Sequence, residues 1–420
     1  MSTTRRELLR LGLGGSTLLA CGTTVPTFLA QSANALSALP DRKVDGRILV
    51  VVQLDGGNDG LNTVVPHLDD AYNRNRPTLK LNGTQLKRID DRVGLHPALD
   101  DFARLSEKGR LAIVQSVGYP NPNRSHSESM AIWNTAQLDP GLQTPGWLSR
   151  AVESSKPIQA RSDAPALQVG DEALSQALRG SSQPIPCLAR PEQFQRRLGP
   201  LDHSTGRQQR DALDHVVQGS EMSDNPLLQF VARSTILSYV SSARLEEVLH
   251  NESGATGYPS NYELARRLKL IAQLIRAEVS TPIYYVQTGS FDTHANQLDT
   301  HAALLRQLGR SLGAFLADLE RNGLADRVAV LVFSEFGRRL HENASEGTDH
   351  GTAAPVFLLG HPVSGGLHGP YPDLDHLEDG DPKHAIDFRR VYASVLEHWL
   401  KISANPILGG SFETLPLFKS

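Results

Sequence analysis

Five short apolar runs punctuate the chain: 47–54 (RILVVVQL), 111–117 (LAIVQSV), 282–287 (PIYYVQ), 328–333 (VAVLVF) and 355–359 (PVFLL). They are continuous rather than alternating, the pattern of strands covered on both faces, as in the interior of a parallel sheet. Between them the period becomes helical. Leu304, Leu305, Leu308, Leu312, Phe315, Leu316 and Leu319 recur on one stripe, and Leu264, Leu268, Ile271, Leu274 and Ile275 on another. Asp387 stands where it can cap a last helix through Val391, Val395, Leu396 and Leu400. This alternation predicts an α/β fold, a doubly wound and mainly parallel sheet. Residues 150–258 depart from the pattern, being polar and broken by Pro165, Pro184 and Pro186, with only 227–248 firmly helical. They are expected to form a partly helical insertion or cap over the sheet.

The N-terminus follows a different logic. Arg5-Arg6 precedes an apolar run from Leu11 to Ala30, and Ala33-Asn34-Ala35 supplies a small-x-small cleavage pattern. Charge, apolar run and cleavage site in that order describe a twin-arginine export signal over residues 1–35. Gly12, Gly14, Gly15, Gly22 and Pro26 make the run too broken for a membrane span. The mature chain, residues 36–420, is then expected in the periplasm or outside the cell, with the twin-arginine machinery as an export partner and no transmembrane span. Leu18-Leu19-Ala20-Cys21 is a poor match to a lipid-anchoring site. Cleavage at Ala35 removes Cys21 and leaves Cys187 alone, so no intramolecular disulfide forms; Cys187 beside Pro186 reads as a small buried residue.

Composition narrows the classes further. With 39% hydrophobic and 21% charged residues among 420, the chain has ample material for a core, and two cysteines rule out a disulfide-stapled module. A formal net charge of −4 provides no basic footprint, so nucleic acid is not an expected partner.

Ligands of open α/β sheets gather at the carboxyl ends of the strands, and there this chain concentrates its chemistry. The first strand is followed by Asp55-Gly56-Gly57-Asn58-Asp59-Gly60 and the second by Asn123-Arg124-Ser125-His126. Phe291-Asp292-Thr293-His294 follows the third, Ser334-Glu335-Phe336-Gly337-Arg338 the fourth, and Thr348-Asp349-His350-Gly351 precedes the fifth. Each piece alone has a plainer reading: Asp55 as a turn residue, Asp292 as a helix cap, Glu335 as the partner of Arg338 or Arg339, and Ser125 as part of a loop capping a helix from Ser127. Together they point to a cation, because carboxylates and imidazoles converging from separate strand ends repel and lose hydration without one. The mixed Asp, Glu and His set favours Zn²⁺ or Mn²⁺ over Mg²⁺ or Ca²⁺, with one or two ions.

In this order and spacing, the export signal, LDGGNDGLN, the RSH segment, FDTH, SEFGR and TDHG resemble the bacterial family catalogued as domain of unknown function number 1501, which is assigned to the alkaline phosphatase and sulfatase superfamily. The resemblance covers about residues 47–418. It implies a fold of alkaline phosphatase-like type and a metal site with Asp55 as ligand of one ion. Asp292 and His294 resemble the ligands of a second, and Glu335, Asp349 and His350 those from later strand ends. Ser125 matches the nucleophile, Arg124 or Arg338 a holder of non-bridging oxygens, and His126 either an acid for the leaving group or a partner of a ligand. The implied activity is metal-dependent hydrolysis of phosphate or sulfate esters, small or polymer-borne. Glu335-Phe336 departs from the Asp-His pair of well-characterised phosphatases, and no Cys-x-Pro-x-Arg segment offers a formylglycine. A non-catalytic envelope or surface-binding protein that keeps the scaffold and a structural metal is the alternative.

Overall fold

The computed structural model describes residues 46–142, 144–155, 158, 164–188 and 257–419. The export signal, Cys21, the cleavage site and the helix expected at 227–248 lie outside the described residues. Almost all described residues belong to one compact unit, Arg47–Ser181, Ile185–Cys187 and Glu252–Ser420.

The apolar runs form strands. These are β1 (Ile48–Leu54), β2 (Leu111–Gly118), β4 (Ile283–Thr288), β5 (Val328–Ser334) and β8 (Ala354–Leu359). The short strands β3 (Leu167–Val169), β9 (Gly366–His368) and β10 (Ile386–Asp387) join them. Across the sheet the order is β9-β2-β8-β5-β1-β4-β3 and then the two-residue strand Cys187–Leu188, with β10 also on β2. β1 sits parallel between β4 and β5, and every residue of it is buried.

One strand runs against expectation. β8 lies antiparallel to both β2 and β5, although its run is as continuously apolar as the others. Burial on both faces determines such a run; direction comes from the connection. Between β5 and β8 the chain makes no crossover helix but a hairpin of β6 (Arg338–Glu342) and β7 (Thr348–His350), so it returns reversed. β3 is a second addition. Its three residues lie in the polar stretch beginning at residue 150, yet they pair parallel with β4. Cys187 is exposed rather than buried, in the two-residue strand that follows β3 in the sheet, where Gln168 N donates to the Pro186 carbonyl.

Helices cover both faces. Leu49, Val51, Val356 and Leu358 pack with Trp133, Trp147 and Tyr392 of α2 (His126–Thr135), α3 (Trp147–Ser154) and α6 (Phe388–Ser394). Successive strand residues face opposite ways, and Phe357 accordingly meets Phe102 of α1 (Asp100–Glu107) on the other face, ring centroids 5.6 Å apart. There α4 (Glu263–Arg276) and α5 (Gln297–Arg321) bury the two predicted stripes, with Leu304 only half-buried. Asp387 caps α6 by accepting from Arg389 N. No helix of the described residues is long and apolar enough to cross a membrane.

Register places the site. Leu54 lies level with Thr288 of β4 and Ser334 of β5, so Asp55, the 289–294 loop and Glu335 emerge together. Because β8 is reversed, the residues that precede it, Thr348 to Ala353, open at the same edge, level with the end of β2.

Candidate metal centre

The turn after β1 requires glycine. Gly56 has φ +116°, and a Cβ there would stand 2.5 Å from the Asp292 amide nitrogen; Gly57 has φ +72° and the Phe336 ring against its Cα. Gly56 N donates to Glu335 Oε1 at 2.9 Å and Asn58 N to Ser334 Oγ at 3.0 Å, which ties this turn to the end of β5. After β2, Asn123 Oδ1 accepts from Ser125 N at 2.7 Å, a local turn of the kind Asn favours. α2 then begins at His126, one residue before the expected Ser127, and Ser125 at its N-cap makes no side-chain capping bond.

Three imidazoles surround Asp292, and each has its Nδ1 against an oxygen. His126 Nδ1 lies 2.7 Å from Glu335 Oε1, His294 Nδ1 3.2 Å from Asp349 Oδ1, and His350 Nδ1 2.8 Å from the Arg124 carbonyl. Ionised carboxylates and carbonyls only accept, so in the neutral rings Nδ1 carries the proton and Nε2 a lone pair. These Nε2 atoms turn inward. His294 and His350 place theirs 3.0 and 3.1 Å from Asp292 Oδ1 and 2.9 Å from each other, and His126 Nε2 stands 3.5 Å from Asp292 Oδ2. His126 Nε2 is buried and has no hydrogen-bond partner. Ligand atoms of His126, Asp292 and His350 all lie within 4.8 Å of one another. Lone pairs and a carboxylate facing inward, with every outer nitrogen fixed by an oxygen, is the arrangement that holds histidine on a metal, and the residues fit a divalent ion with mixed nitrogen and oxygen preference.

The electrostatics agree. Partial burial works against ionisation of Asp292, but the hydrogen bond from Arg338 and the Arg338 charge outweigh it, and its carboxyl is drawn down to about 2. Burial, then the neighbouring Glu335 and Asp292 carboxylates, push Asp55 upward, with His126 opposing. The Glu335 hydrogen bond raises His126 against the opposing effect of burial. Asp349 is held low by the Asn343 amide and then by His294.

The expected residues thus fall into distinct positions. Asp292, His350 and His126 converge, and His294 joins Asp292 and His350 from the rim. Glu335 and Asp349 stand behind imidazoles, Glu335 fully buried with Ser334 Oγ 2.9 Å from its second oxygen. Asp55 is exposed beside them. Ser125 Oγ pairs with Ser127 Oγ at 3.1 Å. Arg124 is bound through Nε at 2.7 Å to buried Asp381. Arg338 is wholly buried and staples the loops: Nε donates to the Gly57 carbonyl and Nη1 to the Thr348 carbonyl, each at 2.7 Å, and Nη2 to Asp292 Oδ1, also at 2.7 Å, and to the Gly56 carbonyl.

Supporting residues that the sequence did not single out lie beneath. Asp59 and Arg76 form a fully buried pair, Oδ2 to Nη1 2.5 Å, and Arg76 also donates to the carbonyls of Arg339 and Leu340 at 2.9 and 3.0 Å. Gln297 Nε2 donates to Asp59 at 2.5 Å, and His301 Nε2 lies 2.9 Å from Asn58 Oδ1. The only sequence signal was the second aspartate of LDGGNDG; Arg76, Gln297 and His301 carry no local motif.

The model of the family described as Protein of unknown function (DUF1501) matches residues 47–407. No curated protein matches the chain. Among solved structures, the lipoteichoic acid synthase LtaP from Listeria monocytogenes is similar with TM-score 0.34 and 9% identity, over 81% of this chain and 72% of that one. The C-terminal periplasmic domain of EcEptC from Escherichia coli, in complex with Zn, has TM-score 0.36 and 10% identity over 76% and 74%. Alkaline phosphatase from the Antarctic bacterium TAB5 has TM-score 0.27 and 11% identity over 76% and 94%.

Proposed function

We propose that this chain, which belongs to the DUF1501 family by its match over residues 47–407, is an exported metal-dependent hydrolase of phosphate or sulfate esters. The observation that carries the proposal is the convergence of three Nδ1-held imidazoles on Asp292. His126, Asp292 and His350 would hold the ion, His294 would supply a further nitrogen, and Asp55 a second carboxylate. Zinc or manganese suits that set better than magnesium or calcium. When bound, the ion supplies Lewis acidity to an ester oxygen.

The chain's own groups do the rest. Ser125, one residue before His126, is the proposed nucleophile: its Oγ forms a bond to phosphorus or sulfur, loses its proton to solvent, and the ester bond breaks with protonation of the departing alcohol. Water then releases the acid and restores Ser125. Arg338 keeps Asp292 ionised and aimed. The substrate is a small or polymer-borne ester met in the periplasm or outside the cell after twin-arginine export.

A second reading has specific support. Ser125 Oγ faces Ser127, and Arg124 and Arg338 are both consumed within the protein, which suits a binding protein with a structural metal. One experiment separates the two: aryl phosphate and aryl sulfate hydrolysis by zinc- or manganese-loaded protein, with Asp292→Asn and Ser125→Ala beside the wild type. Hydrolysis lost in both variants supports the enzyme; metal binding without hydrolysis of any ester supports the binding protein.

A further inference from the structure

The carbonyl that takes the His350 proton is itself held from behind. Arg124 belongs to no helix or strand, and its side chain reaches Asp381, with Nε 2.7 Å from Oδ2 and Nη2 on the same oxygen. Asp381 is buried in a tight turn closed by reciprocal backbone bonds with Glu378 at 2.9 and 3.0 Å. Arg339 stands 3.6 Å from its other oxygen. The next residue, Pro382, presents its carbonyl to Thr352 Oγ1 at 2.7 Å. The turn therefore holds His350 from two directions: through Arg124, whose carbonyl meets Nδ1, and through Thr352, two residues along the chain.

We infer that Asp381 is a positioning residue for His350: by clamping Arg124 it sets the carbonyl that keeps the His350 proton on Nδ1 and leaves Nε2 open toward Asp292. Its use rests on the metal-centre reading; its geometry does not. A carbonyl in an irregular loop is aimed only as well as that loop is anchored. A buried carboxylate whose one oxygen accepts two bonds from the same guanidinium is a strong anchor, because bonds between ionised partners are roughly twice as strong as neutral ones. Removing it leaves Arg124 free to turn, and a neutral imidazole that has lost its acceptor redistributes its proton between the two nitrogens.

The test uses Asp381→Asn, which keeps the size and loses the charge, and Asp381→Ala. Long-range proton–nitrogen spectra of chelator-treated protein labelled with ¹⁵N-histidine report each ring's tautomer, with His350 identified by its loss in His350→Gln. The expected result is a pure Nδ1–H ring in the wild type and a mixture of tautomers in the Asp381 variants. Zinc affinity, read by competition with a chromophoric chelator, falls about tenfold to a hundredfold in both, the effect typical of residues that orient a metal ligand. Urea denaturation identifies any variant that has lost its fold, in which case the Asn form carries the test. An unchanged His350 tautomer in folded variants overturns the inference, even if affinity falls. A wild type that binds no zinc overturns the metal-centre reading instead, and the tautomer spectra then decide the role of Asp381 alone.

Discussion

Glu335→Gln tests how the metal centre is aimed. Glu335 is completely buried; its Oε1 accepts from His126 Nδ1 at 2.7 Å and Gly56 N at 2.9 Å, and its Oε2 lies 2.9 Å from Ser334 Oγ. Glutamine preserves this outline. Its amide oxygen can keep the first two bonds, and its amide nitrogen can donate to Ser334 Oγ while that hydroxyl donates to the Leu54 carbonyl at 3.0 Å. What is lost is the charge behind His126. A hydrogen bond to a charged acceptor contributes about 1.5–3 kcal/mol and one to a neutral acceptor about 0.5–1.5, a difference of about 1–2 kcal/mol. At 1.4 kcal/mol per factor of ten, zinc affinity should fall about fivefold to thirtyfold, close to the effect known for orienting partners of metal-bound histidine.

The pH dependence adds a sign. The Glu335 bond raises His126, so in the wild type protons compete with metal from a higher pH than for an ordinary histidine. Without that charge the ring protonates less readily, and the affinity gap between wild type and Glu335→Gln should narrow as the pH falls from 8 toward 5.5. Competition titrations with a chromophoric chelator across that range supply both numbers, and thermal melts of the metal-free proteins confirm an intact fold. Equal affinities at pH 8 would refute the orienting role, and a loss far beyond about a hundredfold would mean that Glu335 is itself a ligand.

Other predictions follow from the supporting layer. Arg76→Met strands the buried Asp59 carboxylate and should lower unfolding free energy in urea by about 3–5 kcal/mol. Burial, with the nearby charge of Arg306 for His96, holds His301 at about 3 and His96 at about 4, below the ordinary 6.5. Their contribution to stability is therefore complete above pH 6.5 and declines as the pH falls through that value toward 3, and urea midpoints should depend less steeply on pH between 6.5 and 4 in His301→Gln than in the wild type. Gly57→Ala forces a side chain into a left-handed backbone and against Phe336, and should destabilise the fold by about 1–3 kcal/mol on urea denaturation.

The strands were legible because complete burial writes itself as continuous apolar sequence; β1 and β5 emerge within one residue of the expected bounds. The direction of β8 was not, since burial carries no polarity along the chain. β3 escaped because a three-residue strand in polar surroundings has too few positions to show a period. The site's ingredients were visible as ligand-type residues crowded at strand ends. Their arrangement was not, because it depends on pairings across the chain: His126 meets a glutamate 209 positions away, and Arg124 an aspartate 257 positions away. Local sequence shows that Glu335 and Asp349 are carboxylates near the edge; only the fold shows imidazoles standing in front of them. Asp381 and Arg76, which anchor loops rather than punctuate them, left no local pattern.

Everything proposed for the site depends on a divalent metal held by His126, Asp292 and His350. The most direct test is the metal content of purified protein, stripped with chelator, reloaded with zinc or manganese and passed through a desalting column, measured by mass spectrometry for wild type and Asp292→Asn. A stoichiometric ion is expected in the wild type and a large loss in the variant. A folded wild type that retains no metal, or an Asp292→Asn variant that retains it fully, would contradict the metal centre.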